Sequence, residues 1–184
     1  MAKRPSAAAV RPARCPCCSA PGAPLGRRVV IQGHGLRKRL VRGPLTVDGF
    51  PVEVTVSVRR YLCRRCGAVL TVVPRGMLRS HLFSAQAIGM ALALWAVHRV
   101  PAHRVRACVS PWKTVGNTAA TGWASLRRWV RQAPRLFVWL RTCPKHWTLR
   151  QRAERIVLML TTCAPHLDGP VVERAFEGAA HACL

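Results

Sequence analysis

The chain has 184 residues, half of them apolar and six of them tryptophan, which suits one domain of ordinary size or two small ones and excludes general disorder. Only 6 Asp and Glu stand against 30 Lys and Arg, a formal charge of +24, so a polyanion such as nucleic acid is the first partner to consider. The longest apolar run, Ala87 to Val97, is too short to span a bilayer and reads as a core helix; no membrane partner is expected.

The charge is unevenly placed. Met1 to Phe83 carry 16 basic and 2 acidic residues, Ser84 to Arg150 carry 11 and none, and Gln151 to Leu184 carry 3 and 4. Arginine outnumbers lysine 26 to 4, which a GC-rich genome explains, but such a bias does not explain the missing carboxylates. Residues 1–14, rich in Ala, Pro and Arg, read as a flexible basic arm, and no apolar run follows that would make them a secretory signal. Nine cysteines without a signal point to a reducing cytoplasm and to metal binding rather than disulfides.

Residues 15–80 read as a small antiparallel sheet. Val29, Val30 and Ile31 form a β-branched run ended by Gly33, and Arg37, Lys38 and Arg39 fall on the turn that follows. Val52, Val54, Val56 and Val58 alternate with Glu53, Thr55 and Ser57, the period of a half-buried strand. Leu70 to Val73 repeat the pattern after Gly67.

The strongest chemical signal lies in this segment. Cys15-Pro16-Cys17-Cys18 and Cys63-Arg64-Arg65-Cys66-Gly67 are two C-x2-C units, and each tight turn aims both of its sulfurs at one point. Four thiolates, Cys15, Cys18, Cys63 and Cys66, are expected to hold one structural Zn2+ with no position left open for catalysis. Cys17 is either a spectator or a substitute for a neighbour. The gap of 44 residues between the units is long for a ribbon, but the strands inside it can bring the knuckles together. A second pair, Cys143 with His146 and Cys163 with His166, has C-x2-H spacing but no glycine turn, and a second metal there stays open.

Helical periodicity takes over from Ser84. Ser84 caps a helix running to about His98 with Ile88, Leu92 and Trp95 on one face, and Pro101 opens a second over Ala102 to Val109. Ser110 to Ala120 read as loop. Thr121 caps a third helix to about Gln132, burying Trp123, Leu126 and Val130, and Pro134 opens a short fourth. Residues 84–141 thus form a helix-turn-helix-like domain. Residues 145–184 hold C-terminal helices, one introduced by a Thr148/Gln151 capping box and ending near Pro165, and one following Pro170. The fold class is α+β: an N-terminal zinc ribbon followed by a helical bundle.

Candidate nucleic-acid contacts are Arg37, Lys38, Arg39, Arg59, Arg60, Arg64 and Arg65 on the ribbon, and Arg127, Arg128 and Arg131 on the third helix. Guanidinium forks suit phosphate oxygens, and a basic third helix suits a major groove. The loop from Ser110 to Ala120 is longer than the roughly three or four residues of a tight helix-turn-helix.

The order Cys15-Pro16-Cys17-Cys18, then Gly33 to Arg39, then Val58-Arg59-Arg60-Tyr61 through Cys63 to Gly67, then Thr71-Val72-Val73-Pro74 resembles the zinc-ribbon domains of bacterial mobile-element proteins. Gly122-Trp123-Ala124-Ser125-Leu126-Arg127-Arg128-Trp129 resembles the helix-turn-helix that follows such ribbons. The resemblance covers about Cys15 to Arg131 and implies duplex DNA as partner, beside the nucleoid. Full transposases of this kind add an RNase H-like core whose carboxylate triad holds Mg2+. No acidic residue lies between Glu53 and Glu154, and the later ones fall in helical sequence, so the strand-transfer activity is not expected to carry over.

The leading reading is a non-catalytic DNA-binding helper, regulator or remnant of a mobile element. The alternative is an RNA-binding or ribosome-associated zinc ribbon with Tyr61 available for stacking. A third is an adaptor that self-associates through the C-terminal helices, using Ile156, Leu158, Met159 and Leu160, although an internal core contact explains that stripe as well. No Cys–His pair has an orienting carboxylate in its own segment, so no enzyme is expected; His34 reads as a turn residue or phosphate contact.

Overall fold

The computed structural model describes residues 6–112, 123–137, 144 and 146–183. The chain is α+β, with strands β1 (Ile31–Gly43), β2 (Val52–Cys63) and β3 (Val69–Val72) followed by helices α1 (Ala85–Leu92), α2 (Ala102–Val109), α3 (Ala124–Leu136), α4 (Leu149–Thr162) and α5 (Val171–Ala182). It divides into a ribbon unit, Met1–Arg39 with Thr55–Pro74, and a helical unit, Leu40–Val54 with Arg75–Leu184. The long strands β1 and β2 contribute residues to both.

The sheet has the order β1-β2-β3, and β2 pairs antiparallel with β3 in the register Arg59 to Val72 through Leu62 to Val69. The valine alternation of β2 has the expected effect, since Val52, Val54 and Val56 are half-buried while Glu53 and Thr55 are more open to solvent on the alternate positions. In the ribbon unit, Cys15, Ala20, Ile31, Tyr61 and Cys63 are buried together, with Val10, Val30, Leu70 and Val72 against them.

In the ribbon region three details differ from the sequence reading. β1 does not stop at Gly33 but continues through Gly35, which takes φ +81, so Arg37, Lys38 and Arg39 lie on a strand rather than a turn. Most of β1 is exposed, so it carries no apolar alternation, and its charges suit a strand at the edge of the sheet. Tyr61, whose ring the RNA-binding alternative would use for stacking, is fully buried. Its hydroxyl needs a partner there and donates to the Ala7 carbonyl at 2.8 Å. That bond and the packing of Val10 tie down residues 6–14 of the expected flexible arm.

The helical unit has one core to which α1 through α5 all contribute, so the C-terminal helices share their interior with the earlier ones. Ser84 caps α1 by accepting the Ala87 N–H at 3.1 Å. A π-helical turn, Ala93–Val97, prolongs α1, with His98 N–H donating to Ala93 O at 3.2 Å, and carries the helix nearly to its expected end. Pro101 stands at the cap of α2. Thr148 and Gln151 form the expected capping box of α4, with N–H to side-chain bonds of 2.8 and 3.2 Å.

Pro134 lies in the last turn of α3 instead of opening a helix. The hydrogen bond it forgoes is offset by burial of Val130, Ala133 and Leu136, and Phe137 then bridges to Cys183. Thr121, most of the 110–120 loop and residues 138–143 lie outside the described residues. α3 rests mainly on α1 and α4, and α2 on α1. Of the stripe considered for self-association, Ile156 and Leu160 are buried in the core, Met159 is half-buried and Leu158 is exposed.

Candidate metal centre

The two C-x2-C units fold into turns of the same design. In the first, Ser19 N–H donates to Cys15 O at 2.8 Å and Cys15 N–H to Ala20 O at 2.9 Å. In the second, Gly67 N–H donates to Cys63 O at 2.8 Å and Cys63 N–H to Ala68 O at 2.9 Å. The residue after each second cysteine is left-handed, Ser19 at φ 57 and Gly67 at φ 75. Both turns therefore point two sulfurs the same way, and the four converge: Cys15 Sγ lies 3.7 Å from Cys66 Sγ and Cys18 Sγ 3.7 Å from Cys63 Sγ. All four sulfurs lie within 4.8 Å of one another.

A tetrahedral ion with bonds of about 2.3 Å to sulfur requires sulfur–sulfur edges of about 3.8 Å, so the four thiols fit a metal ion. Cys17 is exposed and lies outside the group. Among the described residues no second group of this kind occurs. Cys163 is half-buried at the end of α4 and His166 is exposed, while Cys143 lies outside the described residues.

The thiols perturb one another. The Cys66 and Arg65 N–H groups favour the Cys63 thiolate and lower its pKa to about 7, against the opposing effect of desolvation. The Ala68 N–H likewise favours the Cys66 thiolate, but desolvation and three neighbouring sulfurs outweigh it and push its pKa up to about 12. Cys18 is also raised: desolvation and the Cys63 and Cys15 thiols outweigh the Ala20 N–H. Crowding of sulfurs that cannot all ionise is relieved when a cation binds between them.

Ser19 holds a conformation that costs a non-glycine residue on the order of 1 kcal/mol. Ser19→Gly is expected to stabilise the metal-loaded ribbon by about 1 kcal/mol, seen as slower loss of metal to a chelator. Faster loss would show that the serine side chain contributes more than its backbone costs.

The candidate contact residues form two sets. On the ribbon, Arg37 and Lys38 are exposed on β1, Arg39 is half-buried beside them, Arg59 and Arg60 are half-buried on β2, and Arg64 and Arg65 are exposed within the second knuckle. The residues of the ribbon unit include 13 Lys and Arg and no acidic residue. On α3, Arg127, Arg128 and Arg131 are all exposed, opposite buried Leu126, Trp129 and Val130. Arg135 extends their row at the next i+4 position and is also exposed; it escapes sequence reading because Pro134 marks a false helix start. Trp123 and Trp129 anchor the helix in an edge-to-face cluster with Phe83, at centroid distances of 4.8 to 5.8 Å.

Among the described residues two ion pairs occur, Arg42 with Glu53 at 2.6 Å and Arg99 with Glu154 at 2.7 Å, and neither involves the α3 row. No helix among the described residues is long and apolar enough to cross a membrane. Set against protein-family models, curated proteins and solved structures, the chain has no significant match in any of the three.

Proposed function

We propose that the protein is a zinc-stabilised DNA-binding protein without a catalytic centre, a helper, regulator or remnant of a mobile element acting in a reducing cytoplasm beside the nucleoid. Zinc is the metal of choice for four thiolates in a closed tetrahedral site, where it acts as a structural ion. The observation that carries the DNA reading is the row Arg127, Arg128, Arg131 and Arg135, exposed on one face of a helix whose opposite face is buried. Such a face gains from phosphate, and among the described residues its arginines have no carboxylate partner to give up. The basic β1 edge and the knuckle arginines supply further positive surface. The RNA alternative loses its stacking ring with the burial of Tyr61.

Affinity for a duplex of mixed sequence, measured against salt, tests this reading. Log affinity should fall linearly with log salt at about −0.9 per neutralised phosphate, and Arg127→Ala/Arg128→Ala/Arg131→Ala should flatten the slope by about three. These side chains are exposed, so the variant should keep its stability to within about 0.5 kcal/mol. A parent slope near zero, or one the triple variant leaves unchanged, counts against the proposal.

A further inference from the structure

The ribbon unit contains a groove of about 570 Å³ between residues 20–32, which run into the start of β1, and the second knuckle, within the size range of ligand pockets, roughly 300–1,000 Å³. Its lining carries Arg27, Arg28, Arg64 and Arg65, all exposed, and no carboxylate. Pro21, Pro24, Val29 and Val30 supply an apolar lining, and Gln32 adds an amide. The walls are held by backbone bonds: Val30 and Ile31 N–H groups both donate to Gly22 O at 3.0 Å, and Arg64 N–H donates to Val30 O at 2.9 Å. The groove is thus built into the same framework that carries the cysteines.

A metal(II) ion on four thiolates leaves a net double negative charge, and Arg64 and Arg65 lie inside the knuckle that carries two of those thiolates. Arg27 and Arg28 come to the lining from a different segment, outside the knuckle, and the ribbon unit offers no acidic residue to balance them. A duplex presents phosphates outward and keeps its bases stacked inside, so it has no use for an apolar lining beside the charge. An unpaired strand presents both, its phosphates to guanidinium groups and its base faces to apolar side chains and guanidinium planes.

We propose that this groove holds a short single-stranded nucleic-acid segment, with Arg27 and Arg28 on its phosphates and the Pro24–Val29–Val30 surface under its bases. The inference rests on reading the protein as a nucleic-acid binder, and it assigns a strand state and a place distinct from the α3 row.

The test compares (dT)8 with a mixed-sequence duplex on the full-length, metal-loaded chain, for the parent, Arg27→Ala/Arg28→Ala and Arg127→Ala/Arg128→Ala/Arg131→Ala. The groove variant should lose about tenfold or more in (dT)8 affinity and less than about threefold for duplex, and the α3 variant should show the reverse. Arg27→Lys/Arg28→Lys, which keeps charge but not the planar fork, should recover only part of the loss. Absence of (dT)8 binding by the parent, equal losses on both probes, or full recovery with lysine overturns the groove assignment. Binding of (dT)8 without duplex binding overturns the duplex reading and leaves the groove assignment standing. Equal metal content in parent and variants separates these outcomes from loss of the fold.

Discussion

Cys63→Ser is expected to abolish metal binding and unfold the ribbon unit while leaving the helical signal of α1 to α5 in place. The reason is the size of the ribbon core. Two of the five residues of its core cluster are ligand cysteines, leaving Ile31 and Tyr61, with Val58 buried elsewhere in the unit, as the large side chains. So few large side chains bury too little apolar surface to fold a unit of this length on their own. A structural zinc ion contributes on the order of 10–16 kcal/mol near neutral pH, enough to decide whether the unit folds. The helical unit has its own core, which contains none of the four ligands. Backbone amide NMR should therefore show collapse of shift dispersion over β2 and β3, with the signals of α4 and α5 retained. Treating the parent with a strong chelator should reproduce it. A Cys63→Ser protein with a native-like ribbon spectrum would remove the metal from the account of folding.

The second large effect concerns two helix crossings. A Cβ on Gly178 of α5 would run into the carbonyl oxygen of Leu160 on α4, and would sit 2.8 Å from the Leu160 carbonyl carbon. A Cβ on Gly89 of α1 would meet the Ala175 carbonyl oxygen and come within 2.8 Å of the Ala179 Cβ on α5. In both cases the obstacle is backbone or a fixed methyl, not the end of a flexible side chain. Alanine gains about 1 kcal/mol over glycine in helix propensity, but forcing packed helices apart costs about 1–3 kcal/mol or more and loosens the side chains around the crossing. Gly178→Ala and Gly89→Ala are each expected to destabilise the helical unit by about 1 kcal/mol or more net, read as a lower midpoint in urea with an unchanged slope. Unchanged or raised midpoints would mean that these crossings relax at little cost.

These glycines also show where sequence reading reaches its limit. Gly89 and Gly178 look like mild helix defects in one dimension, because the neighbour that requires them lies on another helix. Local signals carry further. The C-x2-C spacing identifies all four sulfurs that converge, and Ser84, Pro101 and the Thr148/Gln151 box locate helix starts, because caps and knuckles are written in residues a few positions apart. Cys17 is ambiguous in sequence because Ser19, not glycine, takes the left-handed position after Cys18. β1 is legible only at its first residue, since an exposed basic edge has no apolar period to read. Tyr61 looks like a surface ring in sequence because its burial depends on residues 7 and 10, more than fifty positions away. Pro134 looks like a helix start because a proline signal does not report the packing that carries α3 past it.

Zinc K-edge X-ray absorption on the purified chain tests the metal assignment most directly. It should show about one zinc per molecule bound by four sulfur atoms at about 2.3 Å and by no nitrogen or oxygen. A chain that carries no zinc, or holds it through imidazole or water, would contradict the account.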